Sequence, residues 1–127
     1  MTITNNEKKN LASVPAAKTA AGYVDVILKP FSEDQSRRLA KMISSCFNES
    51  DIDSLCAIHL GVQGLREIAA PAGLLKMIRD MLAWCETDEG SSKLVVLLNG
   101  MIAQRPFRSD LKEFIKALAV EGALKLS

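Results

Sequence analysis

The chain has 127 residues, 48% of them apolar but only 5% aromatic, which is material for one domain of roughly 100 residues with a core of Leu, Ile, Met and Ala, a composition that favours helices over strands. The 16 basic and 15 acidic side chains leave a net charge of +1, which lacks the basic excess of most nucleic-acid-binding domains. The cysteines, Cys46, Cys56 and Cys85, are odd in number and suggest no disulfide framework; no apolar run reaches the ~18 residues of a membrane span, and the opening MTITNNEKKN leads into no signal-peptide core, so a cytoplasmic location with no membrane partner is expected.

Residues 1–22 are rich in Thr, Asn, Lys and Ala, with Pro15 in the middle, and read as a disordered leader or linker that is dispensable for folding. Tyr23-Val24-Asp25-Val26-Ile27-Leu28 is a β-prone run, either a docking strand or an extended arm, closed by Lys29-Pro30. Ser32 with Gln35 three residues on predicts a capping box, and the helix it opens turns Leu39, Met42, Ile43, Cys46 and Phe47 inward. Ser50 is expected to cap a second helix burying Ile52, Leu55 and Cys56, with Gly61 as its stop. A short third helix carries Leu65 and Ile68 inward.

The stretch from Pro71 to Leu118 organises the rest. It reads as three amphipathic helices separated by two breaks, Thr87-Asp88-Glu89-Gly90 and Gln104-Arg105-Pro106. Leu74, Ile78, Met81 and Cys85 recur at helical spacing in the first, with Leu75 and Leu82 widening the stripe and Trp84 at its edge. Leu94, Leu97, Leu98, Met101 and Ile102 do so in the second, and Leu111, Phe114, Ile115 and Leu118 in the third. Pro71 suits a first helical position and Ser109 a cap. The reading is therefore all-α: a compact six-helix bundle over residues 23–120, with residues 121–127 as a short tail. Its expected core is Leu39, Ile43, Phe47, Leu55, Leu82, Trp84, Leu97, Leu98 and Phe114.

No constellation carries chemistry. Cys56 and His59 form a C-x-x-H pair, but both lie on an apolar stripe and no clustered further ligands complete a zinc set. The same pair lacks an orienting third group for nucleophilic work. Glu33/Asp34, Asp51/Asp53 and Asp88/Glu89 sit at helix starts or in a turn, where capping and solvation explain them. Gly61-x-x-Gly64 is too short for a phosphate loop. No enzyme activity, metal or cofactor is expected. What remains is surface charge. Arg37, Arg38 and Lys41 on the first helix and Lys76 and Arg79 on the fourth form one set. Glu49, Asp51, Asp53 and Glu67 on the second and third, against Arg66, form the other. Patches of opposite sign on one domain are the ingredients of head-to-tail association, and these residues are the candidate protein-binding site.

The segment from Phe31 to about Leu118 resembles the effector-associated domains of bacterial conflict and signalling systems, most closely the type-1 family, a small six-helix module resembling the death fold. The carrying residues are Phe31-x-x-x-x-x-Arg37-x-Leu39, Leu82-x-Trp84, the Gly90 turn, Leu97-Leu98 and Arg105-Pro106-x-x-x-x-Leu111. Arg108-Ser109 stands where the family often has Asn-Pro, and nothing before Phe31 matches. The resemblance implies a death-fold-like adaptor that acts by homotypic protein–protein interaction. It would recruit or assemble effectors in a bacterial defence or signalling system. Its partner would be a like domain on an effector or sensor of the protease or NTPase class, with a homo-oligomer as a further form. It implies no catalytic residues, and it places the two charged helix pairs on opposite sides of the bundle. The alternative reading is a helical nucleic-acid-binding regulator, whose best recognition helix, residues 110–118, carries only Lys112 and Lys116.

Overall fold

The computed structural model describes residues 23–87 and 92–127. In chain order the elements are β1 (Val24–Ile27), α1 (Glu33–Cys46), α2 (Glu49–Leu55) continued by a π-helical turn (Cys56–Leu60), α3 (Leu65–Ile68), α4 (Leu74–Cys85), α5 (Ser92–Gln104), α6 (Ser109–Val120) and β2 (Leu124–Leu126). The domain is an all-α bundle with one minor two-stranded sheet. α1 packs most extensively on α4; α3 and α5 also lie on α4, α5 covers the π-helical turn, and α6 returns to α1. The expected leader, residues 1–22, lies outside the described residues, as does the 88–90 part of the first expected break.

Local chemistry explains where each helix starts. At α1 the expected capping box is present: Ser32 Oγ accepts from the Gln35 N–H at 3.0 Å, and Gln35 Oε1 accepts from the Ser32 N–H at 2.9 Å. At α2 the cap is Asn48 rather than Ser50. Asn48 Oδ1 accepts from the Asp51 N–H at 2.8 Å and Asp51 Oδ2 accepts from the Asn48 N–H at 3.1 Å, while Asp53, three residues after Ser50, instead accepts from the Leu65 N–H. α4 starts at Leu74 behind Gly73, so Pro71 is outside the helix and not at its first position. Gly73 is a poor helix former, and the chain stays extended through it. At α6 the flanking residue is Arg108; Ser109 is already helical, and Asp110 Oδ1 takes up the Leu111 N–H at 2.9 Å.

The core follows the periodicity. Leu39, Ile43, Phe47, Leu55, Leu82, Leu97 and Leu98 are buried, in one cluster with Ile52, Leu65, Met77, Ile78, Met81, Leu94, Met101, Leu111, Ile115 and Leu118. Trp84 and Phe114 depart from the expectation. They are half-buried at the rim, each ring facing a cation: Lys93 Nζ is 5.4 Å from the Trp84 ring and Arg38 Cζ 5.9 Å from the Phe114 ring. Leu75 is exposed rather than part of the α4 stripe. The thiols of Cys46, Cys56 and Cys85 are free and buried. Burial pushes Cys56 up to about 11 and Cys85 up to about 12, so both stay protonated and act as small apolar side chains.

Within the run at residues 23–28, Val24–Ile27 form a strand, and its partner lies in the stretch read as a tail. Gly122, at φ +82, adopts the left-handed conformation that ends α6 and sends the chain back along β1. β1 and β2 pair antiparallel, Val24 opposite Leu126 and Ile27 opposite Leu124, with an irregularity at Asp25, and the Ser127 N–H reaches the Tyr23 carbonyl at 3.0 Å. The other edge of β1 is held by one side chain of α5. Asn99 Oδ1 accepts from the Val24 N–H at 2.8 Å, and Asn99 Nδ2 donates to the Val24 carbonyl at 2.9 Å. The amide thus satisfies both backbone groups of Val24 on the edge facing away from β2. Asn99→Asp replaces the donor with a second acceptor facing that carbonyl. It is expected to cost about 1–3 kcal/mol in urea unfolding; an unchanged midpoint would show that the clasp is dispensable.

Candidate functional site

Burial of Gln35, Leu39, Ala40, Ile43 and Cys46 on one side of α1 leaves Arg37, Arg38 and Lys41 facing out. The buried stripe of α4 does the same for Lys76 and Arg79. Because α1 lies on α4, these cations occupy neighbouring helices, and Arg79 Nη2 spans the seam to Glu33 Oε2 at 3.3 Å. The acidic set is likewise on neighbours, α2 and α3, joined by Arg66 Nε to Glu49 Oε2 at 3.1 Å.

Neither set is a free patch of one sign. Asp34 holds Arg37 and Arg38, each at 2.8 Å; Arg38 also reaches Glu121 at 3.3 Å, and Lys76 pairs with Asp80 at 3.1 Å. Among the described residues Lys41 has no such partner. On the acidic side Asp51 is held by Arg105 at 3.0 Å. Asp53 Oδ1 accepts from the Leu65 N–H at 2.8 Å and so caps α3 from across the loop. Glu67 Oε1 accepts from the Gln63 N–H at 2.7 Å. Asp53, Gln63, Gly64, Arg66 and Glu67 line a shallow depression between α2 and α3. Lys41 is thus the outward charge free of any such role, and Glu67 can lose its charge without losing the start of α3 only where a Gln keeps the acceptor for the Gln63 N–H.

Two polar knots escaped the sequence reading. In the first, Gln35, buried on α1, donates from Nε2 to Glu121 Oε1 at 2.8 Å, and the same carboxylate takes Arg38. The Gln35 hydrogen bond, reinforced by Arg38, holds the Glu121 carboxyl below its usual value. A lowered folded-state value stabilises the fold above the unfolded-state value, and that contribution is lost as pH falls through the folded one. The stability gap between wild type and Glu121→Gln is thus expected to narrow below about pH 4.5, the ordinary glutamate value. Parallel denaturation curves at pH 6 and at acid pH check it; a constant gap refutes it. In the second knot, Arg105 Nε donates to the Cys46 carbonyl at 3.1 Å, its Nη2 meets Asp51, and its guanidinium lies 4.5 Å over the Phe47 ring.

Cys56 and His59 sit on the π-helical turn, Cys56 in the core and His59 half-buried against α5. Gly100 makes that approach possible: a Cβ there would lie 2.5 Å from His59 Cδ2. Among the described residues no group of three or more His, Cys, Asp or Glu is placed to hold a metal ion. Lys116 of the alternative recognition helix lies 3.6 Å from Glu113, and Lys112 is half-buried. No described helix is long and apolar enough to cross a membrane. Comparison with protein families, with curated proteins and with solved structures finds no match.

Proposed function

We propose that this domain is a cytoplasmic adaptor that acts by homotypic protein–protein interaction, assembling or recruiting effectors in a bacterial defence or signalling system. One observation carries the reading. The cations of α1 and α4 lie on neighbouring helices, and so do the carboxylates of α2 and α3, which gives one domain two faces of exposed, mixed charge whose ion pairs a like domain could exchange. The resemblance of residues 31–118 to effector-associated domains supports it and supplies the partner class, a like domain on a protease- or NTPase-type protein, or a second copy.

Such a contact is electrostatic at its rim and weakens with salt, since the screening length falls from about 10 Å at 0.1 M to about 3 Å at 1 M. Its energy is modest per pair, because most of the charges are exposed and already paired within the chain. The test uses one charge from each set, Lys41 and Glu67, with substitutions that spare the hydrogen bonds of the fold. Lys41→Glu and Glu67→Gln, the latter keeping an acceptor for the Gln63 N–H, are each expected to weaken concentration-dependent self-association, read by light scattering, while leaving the helical circular dichroism unchanged. Mixing the two variants restores a dimer through the faces left intact, but not longer assemblies, because the other contact lacks the Lys41–Glu67 attraction. Self-association that ignores both substitutions and salt would replace the charged contact with an apolar one.

A further inference from the structure

We draw no further inference here: the strongest candidate, the Phe107 side chain standing 97% exposed on the turn between α5 and α6, is a single apolar group, and nothing in the structure shows what covers it.

Discussion

Leu98→Ala is expected to destabilise the domain by about 2–5 kcal/mol, a large part of the roughly 5–15 kcal/mol by which a domain of this size is held. Leu98 is fully buried on α5, the helix that touches β1, α2, α4 and the π-helical turn. Truncation to the β-carbon removes its isopropyl group and leaves a void inside the buried cluster. α5 is also tied to β1 through Asn99 and to the π-helical turn through Gly100, which limits how far its backbone can collapse. Urea unfolding of wild type, Leu98→Ala and Phe107→Ser reads the effect against a control. Phe107 is almost wholly exposed, and its replacement is expected to change stability by no more than about 0.5 kcal/mol. Equal midpoints for Leu98→Ala and wild type would remove α5 from the centre of the bundle.

The buried stripe of α5 is legible in the chain because its signal is local and repeated: Leu94, Leu97, Leu98, Met101 and Ile102 each vote for the same face. The Ser32 box is legible because both partners lie within one turn. Where two local signals compete, the better hydrogen-bond geometry decides. Asn48 and Asp51 satisfy each other's N–H groups, so Ser50 is left inside the helix. The β1–β2 pairing is not legible, since three residues after a glycine carry no period and their partner is about a hundred positions away (Ser127 to Tyr23, separation 104). The charged surface is legible only in part. Periodicity shows which side chains point outward, and the pairs Asp34–Arg37, Asp34–Arg38 and Lys76–Asp80 are local, but Arg38 is also shared with Glu121, 83 positions distant, and Asp51 is paired with Arg105, 54 positions distant. Pairing over such separations is decided by packing, and together with the local pairs it turns an expected pair of single-sign patches into mixed ones.

Arg105→Ala is expected to cost about 2–4 kcal/mol, well beyond the usual range for a surface arginine. One guanidinium serves three groups at the corner between α1 and α2. It satisfies the carbonyl of Cys46, one of the last of α1 and without an intrahelical partner. It pairs with Asp51, the carboxylate that also caps Asn48. It covers the face of Phe47, whose ring is buried beneath it. Hydrogen bonds to a charged group contribute about 1.5–3 kcal/mol and a cation–π contact about 0.5–1 kcal/mol, and the partial exposure of Arg105 keeps the total below their sum. Arg105→Lys retains the charge but not the planar fork, so it reaches either the carbonyl or the carboxylate and is expected to recover no more than about half of the loss. Asp51→Asn keeps an acceptor for Asn48 and removes only the ionic part. A double-mutant cycle between the two positions should therefore show a coupling of about 1 kcal/mol or more. A cost under about 0.5 kcal/mol for Arg105→Ala, with no coupling to Asp51, would mean that the corner is held by apolar contacts alone. The same geometry fixes how the interaction surface has to be probed. Reversing Asp51 breaks a helix start and leaves Arg105 without its carboxylate, so any loss of association in that variant reports folding; Lys41→Glu and Glu67→Gln, which leave the Gln63 N–H its acceptor, report the contact itself.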